Sequence, residues 1–171
     1  MKNGKLIAVS ALSTALAIVF LTIGAYFQSF DLSALFMASL MMTIPLAKGS
    51  KKGFWLSYLS TAILAFVFAI SRFYLALLFL LFFGVHPFIN YIQEKSGKKL
   101  WFLFIIKGVW FIGVCYLMCY AFNMFVAPNE IINKILPWFI LVFGACCYIV
   151  YDFVIFKFQR MMSQVIQRLG I

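Results

Sequence analysis

Leu6-Ile7-Ala8-Val9-Ser10-Ala11-Leu12-Ser13-Thr14-Ala15-Leu16-Ala17-Ile18-Val19-Phe20-Leu21-Thr22-Ile23-Gly24-Ala25-Tyr26-Phe27 runs for 22 residues without a charged side chain. About 20 predominantly apolar residues suffice for a helix to cross about 30 Å of hydrocarbon, since each advances about 1.5 Å. Lys2 and Lys5 precede the run, a flank that secretory signals share. A signal's apolar region is only about 7–15 residues, however, so the stretch reads as a retained first membrane span.

Working outward, five more apolar stretches follow: 32–47, 54–71, 73–92, 100–125 and 135–156. Only Arg72 separates the third span from the fourth. A single rod over 54–92 would be about 58 Å long, far more than a bilayer needs, so the chain is expected to reverse near Arg72. The expectation is an all-α integral membrane protein. It consists of one domain, residues 1–156, forming a compact bundle of six transmembrane helices, with a tail over 157–171.

Composition supports this class. Of 171 residues, 66% are apolar and 11% charged, against roughly half and a quarter in soluble domains. Removing the apolar stretches leaves too little chain for a sizeable extramembrane domain. The net charge of +10 sits in short clusters between spans, which points to orientation and anionic lipid rather than nucleic acid. Cys115, Cys119, Cys146 and Cys147 lie inside apolar stretches with no CxxC spacing, as small hydrophobes do. One histidine, four scattered carboxylates and no HExxH, Walker-type or GxSxG motif give no catalytic residues, metal site or cofactor site to nominate.

The basic residues set direction. With the N-terminus in the cytoplasm, Lys2, Lys5, Lys48, Lys51, Lys52, Lys95, Lys98, Lys99, Lys157, Arg160 and Arg168 fall inside. Only Arg72 and Lys134 fall outside, and Lys107 lies within a span. Such a bias across short loops predicts cytoplasmic termini in a cell inner or plasma membrane. From Phe158 the apolar residues Phe158, Met161, Met162, Val165, Ile166 and Leu169 recur at helical spacing, opposite Arg160, Gln164 and Arg168. That pattern predicts an amphipathic C-terminal helix in the inner membrane interface, with docking to a cytoplasmic partner as the competing use.

Small residues repeat at four-residue spacing in the first three spans. The pairs are Ser10/Thr14, Ala11/Ala15, Ser13/Ala17 and Ala34/Ala38, and the third span carries the ladder Ser57, Thr61, Ala65, Ala69. Residues four apart share a helix face, and small ones admit another backbone closely in lipid. Such ridges serve internal packing or a second subunit. Ala11, Ala15, Ser57, Thr61, Ala65 and Ala69 are the candidate partner contacts. The last three spans are instead crowded with aromatics, chiefly for lipid and interface contact.

The stretch Leu6–Ala17, with its AxxxA at Ala11 and Ala15, resembles the first helix of the substrate-binding S component of energy-coupling factor vitamin transporters. Those are small six-helix proteins with cytoplasmic termini. The resemblance implies a transmembrane partner subunit that contacts the alanine motif, associated ATPases, and a small-molecule substrate held toward the outer side beneath the first loop. The layout is also similar to the rod-shape protein of the MreD type, which implies a structural scaffold of the bacterial envelope and no ligand.

Polar residues complete the reading. Gln28, Asp31, Arg72, Tyr74, Asn123, Asn129, Glu130 and Trp138 gather on the outer face and are the candidate substrate contacts. Asp31 and Glu130 balance Arg72 and Lys134, which suits a neutral or zwitterionic ligand; solvated loop ends account for the same residues. His86, Lys107 and Asp152 reach comparable depth in the inner half, so a Lys107–Asp152 pair with His86 nearby is geometrically available. These residues serve either as a structural ion pair, with Lys107 snorkelling to the interface as the other plain use, or as the relay of a small ion-coupled transporter, the third functional reading.

Overall fold

The computed structural model describes residues 3–96, 100–122 and 130–168, and every regular element in them is helical. The helices are α1 (Asn3–Tyr26), α2 (Asp31–Met41), α3 (Thr43–Ala47), α4 (Lys51–Phe68), α5 (Phe73–Leu78), α6 (His86–Ser96), α7 (Leu100–Phe122) and α8 (Glu130–Arg168). Short 3-10 turns occupy Gln28–Phe30 and Ile70–Arg72, and a π turn, Phe79–Phe83, joins α5 to α6.

Among the described residues, four stretches are long and apolar enough to cross a membrane: Gly4–Tyr26, Ile70–Ser96, Trp101–Tyr120 and Lys134–Val165. The other two expected spans fall short for local reasons. Asp31–Ala47 breaks at Met42 into helices of 11 and 5 residues. The cause is Pro45, which has no N–H to offer the Met41 carbonyl four residues back. Ser13 Oγ of α1 donates to that carbonyl instead, at 2.6 Å. The 18-residue α4 opens on Lys51-Lys52 and is diluted by Ser57, Ser60 and Thr61. The reversal expected near Arg72 is present as the Ile70–Arg72 turn.

The chain divides into two compact units, Met1–Ser96 with Val154–Ile171, and Gly97–Phe153. In the first, α1 packs on α2 and α4 through small residues. A Cβ on Gly24 would come within 2.6 Å of Ala34 Cβ, so the two backbones meet with no room for a methyl group. Ser10 Oγ donates to Gly53 O at 3.0 Å, Thr14 Oγ1 to Ser57 O at 3.3 Å, and Ser57 Oγ to Ser10 O at 3.1 Å. These cross-helix bonds satisfy hydroxyls that lipid could not.

The α3–α4 reversal takes three residues. Gly49 N donates to Leu46 O (2.8 Å) and Ser50 N to Pro45 O (3.0 Å), the paired bonds of a Schellman ending, with Gly49 at φ 70°. Ser50 then caps α4, its hydroxyl accepting from Gly53 N at 3.0 Å. Gly49→Ala should therefore lower stability by about 1 kcal/mol, because a Cβ crowds the left-handed conformation. Thermal melting of the purified protein reads this, and an unchanged midpoint would mean that the turn is not limiting.

The π turn has an equally local logic. Gly84 N donates to Phe79 O at 2.7 Å, one residue further back than in an α-helix, so the Leu80 carbonyl loses that donor. Tyr58 Oη of α4 donates to it at 2.8 Å. The tyrosine can reach because residue 84 is glycine: a Cβ there would lie 2.8 Å from the Tyr58 ring and 2.9 Å from the Phe79 ring.

In the second unit, α7 and the first part of α8 form an antiparallel pair. Tyr116 Oη donates to Pro137 O and Tyr148 Oη to Phe104 O, both at 2.8 Å. α8 itself differs from expectation: the sixth span and the tail are one 39-residue helix, not a span followed by a separate interfacial helix. No glycine or proline falls between Asp152 and Arg168, so nothing interrupts the backbone ladder. Along the tail Phe158 and Met162 are half-buried, while Met161 and Val165 remain exposed.

Candidate functional site

The four-residue ridges of the first unit separate by direction. Ser10/Thr14 and Ser13/Ala17 turn inward, as do Ala34/Ala38 and the whole ladder Ser57, Thr61, Ala65, Ala69. The ladder is thus used inside the chain, and it is not available to a partner as the spacing suggested. Ala11 and Ala15 alone of these pairs are exposed.

Around them, Ile7, Ser10, Ala11, Thr14 and Ala15 of α1 and Leu56, Ser60 and Leu64 of α4 line an open groove of about 450 Å³. Its floor is small because Ala11 and Ala15 present only methyl groups outward, while the hydroxyls of the buried Ser10 and Thr14 are taken up by α4 carbonyls. Its rims are the exposed Ile7, Leu56 and Leu64. A trough of small residues between apolar rims accepts the ridge of another helix at close backbone distance. The α4 contribution was not anticipated, although Leu56, Ser60 and Leu64 stand at the same four-residue spacing.

A second cluster lies at the α1–α2 and α4–α5 turns. Asp31, in the first turn of α2, accepts from Arg72 Nη1 at 2.8 Å through Oδ1 and from Tyr74 Oη at 2.5 Å through Oδ2. The Arg72 and Asp31 side chains are 21% and 23% exposed, so the pair is partly screened by solvent. Three of the eight candidate substrate contacts thus come together, and they engage one another. Gln28 sits in the neighbouring 3-10 turn. Trp138 belongs to the second unit and is 70% exposed. Asn123 and Asn129 lie outside the described residues; Glu130 opens α8, and its side chain is outside the description too.

The third place is the α7–α8 pair, where Lys107 Nζ donates to Asp152 Oδ1 at 2.6 Å. Lys107 is 1% exposed and Asp152 8%. His86 belongs to the other unit, at the start of α6, fully buried with its ring 5.0 Å from that of Phe82. Among the described residues no three His, Cys, Asp or Glu side chains converge as a metal site.

These features define an all-helical protein with four helices able to span a membrane, compatible with a membrane protein, and carrying one exposed small-residue groove among its described residues. No protein family, characterised protein or solved structure matches the chain.

Proposed function

We propose that this chain is a non-enzymatic, membrane-embedded subunit that works through a transmembrane partner, as the substrate-binding subunit of an importer of the energy-coupling factor type. The observation that carries the reading is the exposure of Ala11 and Ala15 in the α1–α4 groove, while the other small-residue ridges are buried. With no nucleotide-binding motif in the sequence, ATP hydrolysis comes from ATPases associated with that partner. The ligand is a small molecule such as a vitamin. Mass spectrometry of the purified protein tests for it: a co-purifying small molecule lost on Asp31→Ala supports the reading, and clean protein counts against it.

One observation favours a second reading, an MreD-like scaffold of the bacterial envelope. Asp31, Arg72 and Tyr74 already satisfy one another, so the best-placed polar groups on that face need no ligand. The groove serves either reading.

In the proposed topology six helical segments cross an inner or plasma membrane with both termini in the cytoplasm, as the lysine distribution supports. In a variant lacking the four native cysteines, Leu32→Cys and Ser71→Cys should react with an impermeant maleimide in intact cells, and Lys52→Cys should not. Labelling of Lys52→Cys from outside would invert the orientation.

A further inference from the structure

Over its first two turns, before the exposed Glu94-Lys95-Ser96, α6 is built the wrong way round for a helix facing water. Its polar residues His86, Asn90 and Gln93 stand at helical spacing on one face, and all three are buried, at 0%, 0% and 4% exposure. Ile92, between them in sequence, is 43% exposed. In lipid this arrangement is expected, since polar side chains within membrane helices turn to the bundle interior or to a water-filled cavity. α6 also receives α8 near its end, where Arg160 Nε meets Glu94 Oε1 at 3.1 Å. Gln159 and Gln93 are the sequence neighbours of those two partners.

Gln159 is the telling residue. It is 2% exposed, and among the described residues neither its amide nitrogen nor its amide oxygen has a hydrogen-bond partner. A primary amide brings two donors and an acceptor oxygen with two lone pairs, and burying all of them unmet is costly enough that native proteins nearly always satisfy them. Ile155, one turn earlier on α8, is fully buried and apolar, so the same helix face changes from hydrocarbon to amide within a turn. At the other end of that turn, Glu94 and Arg160 have side chains 35% and 55% exposed, placing solvent beside the amide.

We infer that the polar face of α6 and Gln159 of α8 enclose a hydrated pocket, continuous with the aqueous phase at the Glu94–Arg160 end. Its lining is three amides and the His86 imidazole, groups that both donate and accept, so it takes water or a small polar solute of mixed donors and acceptors. Such bound water commonly makes about three hydrogen bonds to buried polar groups. The pocket is independent of the partner reading, and its test does not involve the α1–α4 groove.

Accessibility of the detergent-solubilised full-length protein decides the matter. In the background lacking native cysteines, Gln159→Cys and Asn90→Cys should react with a small charged methanethiosulfonate at least tenfold faster than Ile155→Cys. Equal, slow rates at all three positions would mean a dry interior and overturn the inference. Gln159→Leu provides a second reading should the cysteine variants fold poorly. In a dry interior the unmet amide is a pure penalty, and its removal raises the melting temperature; that result would also overturn the pocket. In a hydrated one Leu displaces bound water without replacing its bonds, and the melting temperature holds or falls.

Discussion

Asp152→Asn should markedly lower the melting temperature of the detergent-solubilised protein, corresponding to about 3–5 kcal/mol. The substitution keeps side-chain size while taking the carboxylate away from Lys107, whose ammonium lies 2.6 Å from it and is 1% exposed. A buried charge that loses its counter-charge is worse off than one never buried, because its desolvation is no longer offset. Lys107→Met should fail comparably for the mirrored reason. The combination Lys107→Met with Asp152→Leu should recover most of the loss, since an apolar pair of similar volume carries no desolvation penalty. Non-additivity of this kind is what a double-mutant cycle detects. If both single variants and the double variant melt at the wild-type temperature, the ion pair contributes nothing to the fold.

The opportunity for Lys107 to meet Asp152 was legible in the sequence by counting. Lys107 lies seven residues into its expected span and Asp152 four residues from the end of an oppositely directed one, so a rise of about 1.5 Å per residue puts them at heights about 5 Å apart, within reach of a lysine side chain. The turn at Arg72 was legible for a similar reason, as a rod through it would overshoot the bilayer. Hydropathy could not show where helices break inside apolar sequence. Met42 and the π turn at Phe79–Phe83 both fall in runs without a charged side chain, where a register shift moves no charge into lipid. What signal exists is indirect: Pro45 and Gly84, each matched by a hydroxyl on another helix that takes the freed carbonyl. Spacing also could not assign faces to the small-residue ridges. Ser10/Thr14 and Ala11/Ala15 differ by one position, about 100° around the helix, and hydroxyl bonds to α4 carbonyls decide which pair turns inward.

Replacing Ala11 and Ala15 together with Leu should leave the isolated protein folded and abolish its association with a membrane partner. Both residues are exposed, so the added side chains project into the groove instead of the core, and the overpacking cost of a buried site does not apply. Leu and Ala are both strong helix formers, so α1 itself should persist. The effect falls on the groove, whose volume of about 450 Å³ exists because its floor is methyl-sized. Two isobutyl groups one turn apart fill that floor and hold a visiting helix off by more than the dispersion contacts tolerate, since attraction drops by a quarter to a half for a gap of roughly 0.5–1 Å. The paired measurement is a melting curve in detergent and co-purification from the native host membrane. A folded variant that loses its partner places the interface on this face of α1 and α4. Ser57→Leu is the contrast: its hydroxyl bonds the Ser10 carbonyl at 3.1 Å inside the chain, so it should lower the melting temperature whatever the partner does. A folded Ala11→Leu/Ala15→Leu protein that still recruits its partner at the wild-type level would remove the groove from the functional reading, and with it the observation that supports a subunit working through a membrane partner.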